Sequence, residues 1–281
     1  MFRLLSISFV VLVLSTNFLF ADDPKPAELI SKHLESIGKK DVRESVKTIM
    51  IVGSSLFESN APVIRGGGRS VAVSDQGNLL FAMSFNSRDY PFEKIGYFDS
   101  KVNIPYVNAG KRSLLGAFIS EHSKILSEGL FAGLLSLRWP LHDAEQSKAK
   151  VRVTGKKKLD GRETYVVDYA PSGSGSGEFK IKLYFDAETY RHVRTEYRRE
   201  IAAPTQRFGQ QNQIASSQIT LVEEFSDFRV IEGLTLPYAY KAIFTSNSNS
   251  TLYENTWGIK VEEYRLNQAL QPGFFTFDTG K

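Results

Sequence analysis

The chain of 281 residues carries 35 basic and 31 acidic side chains, a net charge of +4, and is 42 % hydrophobic and 12 % aromatic. Such a composition folds instead of staying disordered, and so small a positive excess does not point to nucleic acid. There is no cysteine, which removes disulfides, thiolate metal sites and cysteine nucleophiles together.

Residues 1–21 hold one charge, Arg3, then an apolar run, then Ala21 ahead of Asp22 and Asp23. This is the order of a secretory signal cut after Ala21. Cleavage leaves residues 22–281 as one exported domain, with 34 bases against 31 acids and a net charge of +3. The apolar run is interrupted by Ser, Thr and Asn and is short for a membrane span of about 20 residues.

Pro26–Ile37 reads as a helix, with Pro in the first turn, Leu29, Ile30, His33, Leu34 and Ile37 on one stripe, and Gly38 as the stop. From Val46 the period changes to two. Residues 47–57, 69–74, 79–86, 92–98 and 102–107 read as consecutive antiparallel strands, with a turn at Asp75, Gln76, Gly77 and Asn78. Helical spacing returns over 111–126 through Leu114, Leu115, Phe118, Ile119, Ile125 and Leu126. The stretch 129–140 is the most apolar of the mature chain and too rich in glycine to read as a helix. Residues 150–158, 165–169, 179–185, 193–197, 218–230, 236–245 and 252–264 then alternate apolar with charged side chains, and Asp160 with Gly161 turns the first pair. Residues 172–177 and 246–250 read as hairpin tips.

A sheet with one apolar and one charged face is antiparallel, covered on one side and wet on the other. Only two helical segments are available as cover. The expected fold is therefore mainly β: a strongly curved antiparallel sheet forming a half-open barrel covered by α-helices, in a single domain.

His33, His122, His142 and His192 show no metal-binding spacing, and His33 and His122 sit on apolar stripes where a packed histidine is expected. There is no serine-hydrolase elbow, and Asp278, Thr279 and Gly280 near the chain end lack the second copy that aspartic-protease chemistry needs. Acids stand singly or in runs read as solvated, such as Glu223 with Glu224 and Glu262 with Glu263. No catalytic residue, metal or cofactor is expected. Two features remain. One is the apolar segment with Leu114, Leu115, Phe118, Ile119, Leu130, Phe131, Leu134, Leu135 and Trp139, which reads either as a mobile cover over an apolar cavity or as an ordinary core helix and its connector. The other is a basic cluster of Lys148, Lys150, Arg152, Lys156, Lys157 and Lys158, read as a solvated strand face or as a patch for anionic headgroups or an acidic partner.

Several pieces resemble the periplasmic lipoprotein-carrier superfamily of LolA, LolB and RseB/MucB, and more closely its outer-membrane lipoprotein-sorting-like group. The segment from Glu28 to Gly38 followed by Val46, Lys47, Thr48 and Ile49 resembles the first helix and strand. Gly155 and the run from Leu159 to Asp168 resemble the central hairpin. The run from Tyr184 to Thr189 with Val193 to Tyr197, and the run from Phe225 to Arg229 with Glu232 to Pro237, resemble the next strand pairs. Leu266 and Asn267 with Phe274 to Phe277 resemble the chain end. The resemblance implies a half-open barrel closed by helices, which in the carriers admits acyl chains and in the RseB-like members serves as a sensor. The resembling segments place neither the arginine that holds the carrier's lid nor the receptor's protruding loop, so no functional residue is carried over. The reading is a non-enzymatic periplasmic carrier of a lipid, lipoprotein acyl chain or other apolar ligand, or else an envelope sensor or interaction module with a self-filled barrel.

Overall fold

A computed structural model describes residues 23–173, 179–201, 217–248 and 251–279; the expected signal segment 1–21 and most of the hairpin tip 172–177 lie outside them. Helix α1 (Pro26–Ile37) starts on its proline and buries Leu29, His33 and Ile37, the expected stripe. A one-and-a-half-turn helix α2 (Lys40–Ser45), which the sequence pattern did not mark, follows without burying a side chain completely. Strands β1 (Thr48–Asn60), β2 (Val63–Asp75), β3 (Leu79–Ser84), β4 (Phe92–Phe98) and β5 (Lys101–Asn103) come next. After the helical region, β6 (Lys150–Leu159), β7 (Arg162–Ala170), β8 (Phe179–Asp186), β9 (His192–Ile201), β10 (Ser217–Ile231), β11 (Leu234–Ser248) and β12 (Thr251–Leu266) complete the chain.

All twelve strands form one antiparallel sheet in the order β5-β4-β3-β2-β1-β12-β11-β10-β9-β8-β7-β6. The sheet does not close, and β5 and β6 are its edges. Those two strands are neighbours in sequence, so residues 104–149 must cross from one edge of the sheet to the other.

Curvature follows from one contact. Phe81 on β3 and Tyr240 on β11 stand four strands apart, about 19 Å along a flat sheet at the usual spacing. Their ring centroids are 5.7 Å apart. The sheet is therefore bent around an inner face, and both rings lie in the core with residues of α1, the sheet and the crossing segment. The edge strand β6 carries Lys150, Arg152, Lys156, Lys157 and Lys158, all exposed. Lysines on an edge strand oppose pairing with another chain.

Candidate functional site

The expected single helix over 111–126 is two. Helix α3 (Leu114–Glu121) begins at Ser113, whose hydroxyl accepts the Gly116 N–H at 2.7 Å. It stops at His122, whose ring stacks on Phe179 with centroids 4.0 Å apart, and a single turn, α4 (Lys124–Ser127), follows. Gly129 then takes a left-handed φ of +67°, and a Cβ there would lie 2.5 Å from the Arg138 carbonyl oxygen. Only glycine lets the chain fold back on itself at this point. A 3-10 turn at Gly133–Leu135 leads into the connector 136–149.

Leu115, Phe118, Ile119, Leu130, Phe131, Leu134, Leu135 and Trp139 are all buried in the core. Leu114 is 49 % exposed. At about 100° per residue it precedes the stripe made by Leu115, Phe118 and Ile119, so it turns to solvent. The segment thus fills the inner face of the sheet, and in this state its side chains are the filling.

Two buried carboxyl groups hold this cover. Glu223 on β10, fully buried, accepts the Ala132 N–H at 2.7 Å and the hydroxyls of Tyr197 on β9 and Tyr240 on β11, each at 2.8 Å. Ala132 is itself left-handed at φ 51°. Burial pushes the Glu223 carboxyl up to about 7, against the hydrogen bonds that favour its charge. Glu93 on β4 is likewise buried and pushed up to about 7 by burial. It accepts from Tyr90 and Ser113, and Tyr90 in turn accepts the Trp257 Nε1–H at 3.1 Å. Glu93 thereby fixes the residue that caps α3. A third tie is the Leu137 N–H, which donates to Ser74 Oγ at 2.9 Å.

Glu223 corrects the sequence reading, which placed it in a solvated run. Alternation along β10 turns Glu223 inward with Leu221 and Phe225, while Glu224 alone faces out, 3.5 Å from Arg194. The signal was present in the spacing Leu221, Glu223, Phe225.

His33 and His192 are also buried, with ring centroids 6.2 Å apart between Phe185 and Phe225. Their nitrogens donate to backbone carbonyls, His33 Nδ1 to Tyr190 and His192 Nε2 to Arg194. Burial lowers His33 to about 4 and His192 to about 3, so both are neutral packing groups at pH 7.

Two open clefts flank the site. One, of about 590 Å³, lies between α1–α2 and the connector and includes Leu34, Arg43, Leu137 and Trp139. The other, of about 560 Å³, lies near the turns after β6 and β8 and includes Arg162, Arg191 and Phe228. Of the nine apolar candidates only Trp139 borders either cleft. The basic candidates border neither: Lys148 and the β6 cations are exposed, with Arg152 paired to Asp168 at 2.7 Å and Lys156 to Glu163 at 3.9 Å. Among the described residues no cluster of three His, Asp or Glu could hold a metal, and no helix is long and apolar enough to cross a membrane.

No protein-family model matches the chain, and no curated protein matches it. Solved structures do. A DUF1329 family protein from Desulfovibrio piger aligns at 11 % identity with a TM-score of 0.51, covering 89 % of this chain and 97 % of that one. A LolA superfamily protein from Nitrosomonas europaea aligns at 11 % identity with a TM-score of 0.51, covering 91 % of this chain and 99 % of that one. At this identity the likeness is one of fold. The chain has a LolA-like fold, as its motifs implied: mainly β, with an open antiparallel sheet and few helices.

Proposed function

We propose that this chain is an exported, non-enzymatic binding or carrier protein that takes an acyl chain or similar apolar group against the inner face of its sheet. Segment 114–144 is the cover that moves aside. The observation carrying this reading is the cover's construction. It is very apolar, yet its own regular structure amounts to helices of eight and four residues and one 3-10 turn. Helices this short have little stability alone and depend on docking. Their docking rests on apolar contact and on single polar ties, at Ala132, Leu137 and Ser113 and, nearer the surface, between Glu121 and Arg199, Glu128 and Tyr169, Lys124 and the Ser172 carbonyl, and Arg138 and the Gly77 carbonyl. An acyl chain of twelve carbons supplies about 9 kcal/mol of burial at about 0.8 kcal/mol per methylene, which replaces contacts the cover gives up. Export through the leader 1–21 places the protein in the periplasm or outside the cell.

The test is uptake of a fluorescent fatty acid by the mature protein purified without detergent, followed by native mass spectrometry. Saturable binding of one acyl species per chain is expected. A clean protein that takes up none overturns the carrier reading. It would favour the second reading, an interaction module whose barrel is permanently self-filled, for which the burial of eight of the nine candidate side chains is the supporting observation.

A further inference from the structure

The cleft of about 590 Å³ between α2 and the connector has an apolar floor of Leu34, Val46, Leu137 and Trp139. Val46, Leu137 and Trp139 belong to the core as well, so this floor is also the outer wall of the covered face. The charges around it are unevenly matched. Glu44 pairs with Lys40 at 3.7 Å, while Asp143 shares a hydrogen bond with His142 at 2.8 Å and also feels the charge of Arg138. Arg43 and Arg138 have no carboxylate within ion-pair distance among the described residues. Arg43 Nε donates to the Gly38 carbonyl at 3.0 Å, and its guanidinium lies 5.9 Å from the Trp139 ring. Arg138 donates to the carbonyls of Gly77 and Ser127 and stands over Tyr97. Both cations are bonded only to neutral groups. Trp139, 4 % exposed, has a buried Nε1–H with no acceptor among the described residues. Buried donors are as a rule satisfied.

An anionic oxygen seated beside the Arg43 guanidinium would take charge-assisted bonds from it, and one that also reached the unpartnered Trp139 Nε1–H would satisfy that buried donor. We infer that this cleft receives the anionic end of an amphiphile, with Arg43 and Trp139 as donors, while the apolar part passes beside Trp139 toward the covered face. The inference rests on the apolar-ligand reading and adds to it the chemistry of the ligand's head. Carboxylate and phosphate share that chemistry.

The chain has two tryptophans, so an indole N–H spectrum of the full mature chain contains two side-chain signals, assigned by Trp139→Phe. Trp257, bonded to Tyr90, is the internal control. Dodecanoate, dodecyl phosphate and dodecanol are titrated in turn, below their aggregation thresholds. The Trp139 signal is expected to move downfield, as an N–H does on gaining an acceptor, with dodecanoate, with dodecyl phosphate or with both, which distinguishes the two head types, and to show no such downfield move with dodecanol, whose chain alone passes beside the ring. Arg43→Gln is expected to weaken binding of the effective anion about tenfold and leave dodecanol unchanged. Should that variant fail to fold, the spectrum of the parent protein carries the test. Equal binding of all three amphiphiles, or a stationary Trp139 signal with an anion bound, overturns the inference and leaves the apolar-ligand reading standing. Failure of all three to bind overturns both.

Discussion

Glu223→Gln separates the charge of the inner carboxyl from its hydrogen bonds. The amide oxygen can still accept from Ala132 N–H and the Tyr240 hydroxyl, and the amide nitrogen can donate to the Tyr197 hydroxyl, which then serves as acceptor. What changes is the cost of ionisation. With the folded carboxyl pushed to about 7 from a reference of 4.5, the unfolded chain loses its proton first as pH rises. The stabilisation of the protonated native form is complete below 4.5 and is lost as pH climbs through 7. At 1.36 kcal/mol per unit this amounts to about 3 kcal/mol. The variant lacks that slope. Scanning calorimetry of parent and variant from pH 4.5 to 8 should therefore show the variant gaining relative to the parent toward alkaline pH. For a chain of this size the change in their Tm difference should be about 6–12 °C, at roughly 2–4 °C per kcal/mol. Glu93, His33 and His192 are common to both proteins and cancel in the difference. Glu223→Ala strands three buried donors at about 1–3 kcal/mol each and should be destabilising at every pH. Parallel pH profiles for parent and Glu223→Gln would refute the assignment of a buried, proton-holding carboxyl.

Three further outcomes are expected. Because burial holds His192 at about 3 and His33 at about 4, their contribution is present above 6.5 and is lost as pH falls below it, by up to 1.4 kcal/mol per unit each; urea midpoints at pH 7 and 5 should fall less for His192→Gln than for the parent, and an equal fall would count against neutral buried histidines. Gly129→Ala puts a Cβ 2.5 Å from the Arg138 carbonyl oxygen in a left-handed position, a strain of about 1–3 kcal/mol; cleavage by a protease within 114–144 should quicken, and unchanged cleavage would show that the fold-back is not fixed there. Replacing Lys150 and Lys158 on the edge strand β6 by Val removes two of the charges that oppose pairing, so light scattering should report self-association at concentrations where the parent protein scatters little, whereas equal scattering would deny the edge charges that role.

The fold was legible where one physical rule dominated. Helix α1 carries a proline start, a clear stripe and a glycine stop, and its bounds in the structure are those read from sequence. Strand β4 coincides as well, and the long strands β10 to β12 were found from alternation, short by one to three residues at each end. The segment 111–126 was harder, because its apolar spacing stays helical across a break that His122 makes by stacking on Phe179, a contact from a distant strand. Helix α2 has no wholly buried residue, so no apolar stripe announced it. The apolar cover was recognised as a unit, but its anchors were not. Glu223 stands beside Glu224 in a pair that looks solvated, and its role depends on the tyrosines of β9 and β11, 26 and 17 residues away. Glu93 was hidden similarly: Tyr90 stands only three residues before it, but its other partner, Ser113, caps the distant helix α3. Periodicity reports which face a side chain takes; it does not report what meets it there.

The central claim is that segment 114–144 moves when the inner face is occupied. Hydrogen–deuterium exchange of the mature chain, with and without a saturating fatty acid, measures this at the amides of Ala132 and Leu137, which donate to Glu223 and Ser74 in the covered state. Faster exchange across 114–144 on binding, with β1, β11 and β12 unchanged, is the predicted result. Stoichiometric binding with those amides as protected as before would contradict it and place the ligand elsewhere on the molecule.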